Sequence, residues 1–220
     1  MMKWIPYGPN AWMLRFADRL GDEAFARGRA IADELERRPP VGLVEFTPAF
    51  TTVLLEFDSG AASKLDLPDL AKRLDLAVRA SLPPAPVKEI PVIYDGPDLE
   101  RVAGTHDLSV EQVRQLHSAT EYKVYLLGFS PGFPYLGDLD PRLHTPRLAS
   151  PRVRVRAGSV AIGGEHTGIY SVDGPGGWNV IGHTAVKMFD PSGAETGRNC
   201  ESMFFLRPGD RVKFVRVDHD

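Results

Sequence analysis

The chain has 220 residues, enough to bury a sizeable core as one large domain or two small ones, and carries 26 basic against 29 acidic residues. That near balance offers no electrostatic basis for a nucleic-acid or anionic-membrane partner. The lone cysteine, Cys200, excludes an internal disulfide and suits a reducing compartment.

No apolar run has the length needed to span a bilayer, and the opening residues 1–7 contain no apolar signal core, so a cytoplasmic location is expected. Residues 11–16 read as a strand. Residues 22–38 read as a helix with Phe25, Gly28, Ala32 and Leu35 on one face, stopped by Pro39-Pro40. Strands are expected over 41–46 and 51–57. A second amphipathic helix starts near Pro68-Asp69 and turns Leu70, Ala71, Leu74, Ala77 and Val78 inward. Together these predict an α+β sandwich domain over 1–82, followed by a stiff proline-rich linker at 83–86.

Beyond the linker, 87–94 reads as a strand and 98–103 as a short helix. Ser109 and Gln112 have the spacing of a capping box, so another helix should begin there and run to about His117. Short strands are then expected at 122–127, 153–155, 159–162, 167–172, 178–181, 185–189 and 211–217, separated by glycine-rich turns. Most of the 19 prolines and 21 glycines fall in this half, and the pattern predicts an all-β barrel domain over 87–220.

Residues 128–138, Gly-Phe-Ser-Pro-Gly-Phe-Pro-Tyr-Leu-Gly-Asp, are the most informative stretch. Proline fixes φ and glycine permits backbone angles closed to other residues, so Phe129, Phe133 and Tyr135 ride on a constrained path. They form a rigid apolar wall that either covers the barrel end or lines a binding site. His117 is placed at the end of its helix, where the dipole favours a protonated imidazole. It reads as a general acid or anion contact, or simply as a packed capping residue. Five arginines, Arg142, Arg147, Arg152, Arg154 and Arg156, lie in a window without a carboxylate. On a strand the last three share a face, which makes either an anion-binding patch or a solvated basic face.

Other chemistries lack support. Residues 99–116 imitate a helix-turn-helix, but Asp107 stands in place of the turn glycine and Glu111 offsets Arg114, which argues against DNA binding. The glycine turns at 163–168 and 173–179 match no phosphate-binding loop. No cysteine pair exists for zinc, and Ser130 and Ser159 lack a nucleophile elbow.

Taken in order, Tyr94-Asp95-Gly96-Pro97-Asp98-Leu99, His117, residues 128–137, Pro146-Arg147, Pro151-Arg152, Ala157-Gly158-Ser159-Val160 and Pro175-Gly176-Gly177-Trp178 resemble the family of B-type 5-oxoprolinase subunits, also labelled PxpB, KipI or allophanate hydrolase subunit 1. The resemblance implies an N-terminal α+β domain and a C-terminal cyclophilin-like β-barrel. It also implies a non-autonomous enzyme component, inactive alone. With homologous PxpC/KipA-type and PxpA-type subunits, such a component uses ATP, bound at a shared site, to hydrolyse 5-oxoproline to glutamate. By the same resemblance Phe129, Pro131, Gly132, Phe133 and Tyr135 line a substrate pocket together with Ser159, and Trp178 stands opposite. Arg147 or Arg152 holds a carboxylate, and His117 and Arg152 are the catalytic candidates. Two alternatives follow from relatives: a KipI-type inhibitor of a sensor histidine kinase, and a hydrolase component acting on urea-derived amides. Arg156, Glu165-His166 and His183 depart from the family pattern.

Overall fold

A computed structural model describes residues 2–19, 21–78, 87–194 and 203–218. The expected linker at 83–86 and Cys200 lie outside these described residues. The chain divides into two compact units, Met1–Pro84 and Ala85–Asp220.

The first unit runs β1 (Lys3–Pro6), β2 (Ala11–Arg15), α1 (Asp22–Arg37), β3 (Leu43–Ala49), β4 (Thr52–Phe57), a 3-10 turn (Ala62–Lys64) and α2 (Leu67–Val78). Its antiparallel sheet has the order β1-β2-β4-β3. Asp22 and Glu23 sit in the first turn of α1, where the helix dipole favours acidic groups. Leu14, Phe16, Ile31, Leu35, Val53, Leu55 and Leu74 fill the core between sheet and helices. Gly28 lets α1 approach the Phe16 ring, since a Cβ there would lie 3.0 Å from it. The strand expected at 41–46 starts at Leu43, because Gly42 turns at φ 77° and leaves Val41 91% exposed. Strand β1 was not legible. It is a short outer strand, and such a position tolerates Pro6.

The second unit contains β5 (Val87–Val92), α3 (Leu99–Thr105), α4 (Val110–Ala119), β6 (Glu121–Leu127), β7 (Pro134–Gly137), β8 (Arg152–Val155), β9 (Ser159–Gly163), β10 (His166–Ile169), β11 (Gly174–Gly176), β12 (Asn179–His183) and β13 (Arg211–Arg216). Seven strands form one sheet in the order β12-β9-β10-β7-β6-β13-β5, antiparallel except for the parallel β13–β5 pair. The outermost strands meet beyond β5, where Ile93 and His183 exchange two backbone hydrogen bonds of 2.9 Å. The sheet therefore curls until its edges touch. Strands β8 and β11 form a separate ribbon.

The expectation of an all-β second domain needs correction, because α3 and α4 pack against this sheet, on β12 and β13 respectively. The capping box is present: Ser109 Oγ accepts from Gln112 N at 3.1 Å, and Ser109 N donates to Gln112 Oε1 at 2.8 Å. Residues 185–189 are not a strand; only Phe189 bridges, to Phe204. Ile90, Val92, Val102, Val113, Tyr122, Val124, Leu136, Ile162, Ile181 and Phe214 make the core. Among the described residues no helix is long and apolar enough to cross a membrane.

Candidate functional site

The turn between β6 and β7 is closed by its own backbone. Gly128 N donates to Phe133 O at 3.0 Å, and Phe133 N donates to Ser130 O at 3.0 Å. Ser130 Oγ also meets Ser171 Oγ at 3.1 Å. Phe129 adopts φ 68°, a left-handed conformation costly for a bulky side chain, and remains 65% exposed at the rim. The following residues are not loop but strand β7, so Tyr135 is fixed by pairing to β6. Its neighbour Leu136 pairs with β10.

Phe133, 1% exposed, is the hub. Its ring lies 5.5, 5.1, 5.3 and 5.4 Å from those of Phe129, Tyr135, Tyr170 and Trp178, each nearly perpendicular. Edge-to-face contacts of this kind stabilise by about 0.5–1.5 kcal/mol each beyond area burial. Glycines make the room. A Cβ on Gly163 would lie 2.4 Å from the Trp178 ring, and one on Gly176 would lie 2.2 Å from the Tyr170 hydroxyl oxygen. Burial pushes the Tyr170 phenol up, so it stays protonated at neutral pH.

These rings border a pocket of about 290 Å³, lined also by Arg147, Leu148, Pro151, Pro175 and Gly177. Among the described lining residues Arg147 supplies the only formal charge, with the guanidinium carbon 5.8 Å from the centre of the Trp178 ring. A shallower hollow of about 470 Å³, bounded by His144, Pro146, Gly163, Gly164, Glu165 and His166, shares Arg147 as its border. Burial, above all, pushes the His166 imidazole down. Among the described residues no group of three His, Cys, Asp or Glu could hold a metal ion.

The arginine-rich window separates cleanly. Arg142 pairs with Asp140, Arg152 with Asp98 at 2.7 Å, and Arg154 with Asp173, which Arg156 also influences. Among the described residues neither Arg147 nor Arg156 forms an ion pair with a carboxylate, and of these two Arg147 lines the pocket. Buried Asp98 additionally accepts from Val180 N at 2.7 Å, so Arg152 anchors the start of β12 and does not line the pocket.

Five of the expected pocket residues, Phe129, Phe133, Tyr135, Arg147 and Trp178, meet at one site. Pro131, Gly132 and Ser159 do not line it. Pro131 is exposed, Gly132 turns at φ 75° against Met188 O, and Ser159 is buried on β9. Tyr170 and Pro151 were missed, because their membership depends on the ends of β10 and β8 meeting in space.

His117 also needs correction. It is 0% exposed inside the core, Nδ1 at 2.8 Å from Tyr94 Oη and Nε2 at 2.8 Å from Thr167 Oγ1, with its ring stacked 4.7 Å from Phe214. Burial holds its pKa down at about 3. The helix dipole contributes about 0.3–1 kcal/mol in favour of the cation, whereas burying a charge shifts a pKa by several units, so desolvation wins. A neutral, enclosed imidazole that does not border the pocket is not a proton donor to a ligand there.

The chain matches the family model described as carboxyltransferase domain, subdomain C and D, over residues 2–197. It is similar to the B-type 5-oxoprolinase subunit of Bacillus subtilis, 38% identical over 96% of this chain and 90% of that protein. The B-type 5-oxoprolinase subunit of Escherichia coli O157:H7 is 44% identical over 84% of this chain and 82% of its own length. The crystal structure of TTHA0988 matches 96% of the chain at 41% identity with a TM-score of 0.79, and the present chain spans 40% of that longer one. With its ordered motifs and two-unit fold, this chain belongs to the PxpB family of B-type 5-oxoprolinase subunits.

Proposed function

We propose that this protein is a subunit of a 5-oxoprolinase, and that the aromatic pocket binds the small lactam acid 5-oxo-L-proline. The observation that carries this reading is one carboxylate-free arginine at the edge of an apolar pocket. Apolar ring faces accept the ring methylenes, and the planar guanidinium fork of Arg147 matches a carboxylate. Arg147 stands exposed at the rim, so the charge contact forms beside the buried rings of Phe133 and Trp178.

Hydrolysis of the lactam needs an activated carbonyl, and phosphorylation of its oxygen by ATP is the activation the family resemblance implies. The pocket does not fit a nucleotide: one cation and an apolar lining cannot neutralise a triphosphate. ATP is therefore assigned to a site completed by partner subunits. The relatives' designation as one lettered component among several fits such an assembly, and so does the longer chain of TTHA0988. The touching sheet edges support the cyclophilin-like barrel as part of the same reading.

Reconstitution with PxpA-type and PxpC-type subunits tests this. The complete complex is expected to hydrolyse ATP only when 5-oxoproline is present, and this chain alone is expected to be inactive. Lactam-independent turnover, or none from the complete complex, contradicts it.

A further inference from the structure

Asn179 belongs to no motif with an evident chemical role, yet its side chain ties the segment that carries Trp178 to the segments of Pro146 and Ile162 and to helix α3. It is 0% exposed. Nδ2 donates to Pro146 O and to Ile162 O, both at 3.0 Å, which uses both amide hydrogens. Oδ1 accepts from Arg101 on α3. This orientation of the amide is forced, because carbonyls cannot donate and a guanidinium cannot accept.

The two carbonyl contacts lie next to groups that shape the pocket. Pro146 precedes Arg147. Ile162 precedes Gly163, whose missing side chain seats the Trp178 ring, and Asn179 itself follows Trp178. On the far side of the same rim, Leu148 N donates to Gly177 O at 2.7 Å. The rim that carries Arg147 is thus tied to the Trp178 segment at two points, of which Asn179 is the buried one.

We infer that Asn179 is a positioning residue, fixing the distance between the Arg147 guanidinium and the Trp178 ring and so matching the pocket to a compact ring acid. The inference rests on the proposed role of Arg147 as carboxylate anchor. An amide serving only to satisfy strand ends would leave the contribution of Arg147 to binding unchanged when removed.

A double-mutant cycle separates the two. The full-length chain is titrated with 5-oxo-L-proline by calorimetry, and Trp178 emission is recorded in a Trp4→Phe, Trp12→Phe background. In otherwise unaltered protein, Arg147→Ala is expected to weaken binding about tenfold, the loss of one charge-assisted contact. In an Asn179→Leu background the same substitution should cost less than about twofold, because the arginine is no longer held in place. An undiminished effect of Arg147→Ala there overturns the inference.

Arg101→Met is the milder variant should Asn179→Leu not fold. It removes only the bond to Oδ1 from an exposed helix position and should reduce the Arg147 effect to about threefold. No reduction overturns the inference equally. If Arg147→Ala is silent in unaltered protein, the carboxylate reading fails, while Trp178 emission still reports on the clamp. A shift in folded Asn179→Leu supports positioning, and an unchanged spectrum refutes it.

Discussion

Acidification from pH 7 to pH 5 destabilises the second unit through the His117 imidazole. Its folded pKa of about 3 lies far below the ordinary value of 6.5, because burial penalises the cation. Between those values the unfolded chain binds more protons than the folded one, so stability falls as pH falls. The contribution of the neutral imidazole is fully present above pH 6.5 and is lost progressively towards pH 3. With these values the loss between pH 7 and pH 5 is about 2 kcal/mol, approaching about 1.4 kcal/mol per pH unit. The test compares urea unfolding of the wild type with that of His117→Gln, which keeps an amide to face Tyr94 and Thr167. The stability gap between the two proteins should shrink by about 2 kcal/mol from pH 7 to pH 5. A gap that does not change with pH would refute the buried neutral imidazole.

Three further outcomes follow from the packing. Gly163→Ala places a methyl against the Trp178 ring, where a Cβ would lie 2.4 Å away; thermal unfolding should report a loss of about 1–3 kcal/mol, with altered Trp178 fluorescence. Arg152→Ala leaves the buried Asp98 with Val180 N among its described partners. The half-exposed arginine discounts the loss to about 1–2 kcal/mol by denaturant titration, with affinity for 5-oxo-L-proline unchanged. Ser109→Ala removes the α4 cap and should cost about 1 kcal/mol in the same assay.

Elements with a local physical signature were legible in the sequence. The capping box gave the start of α4, and the paired prolines at 39–40 ended α1 within a residue. Strand β7 was hidden inside the aromatic motif, because Pro134 and Gly137 read as turn residues although sheet pairing overrides that preference. Residues 185–189 have strand-like composition but form only one bridge. The aromatic wall and Trp178 were visible as a motif series, whereas the choice between Arg147 and Arg152 was not. It depends on Asp98, which lies 54 residues from Arg152. Asn179 left no signal at all, since its partners stand 17, 33 and 78 residues away. His117 misled for the opposite reason: a helix-end position is local information, but its enclosure by Tyr94, Thr167 and Phe214 is not.

Calorimetric titration of 5-oxo-L-proline into the wild type, Arg147→Ala and Arg152→Ala tests the central claim most directly. Arg147→Ala should weaken binding about tenfold while Arg152→Ala binds like the wild type. Unchanged binding by Arg147→Ala, or a loss confined to Arg152→Ala, would contradict a carboxylate site at the edge of the aromatic pocket.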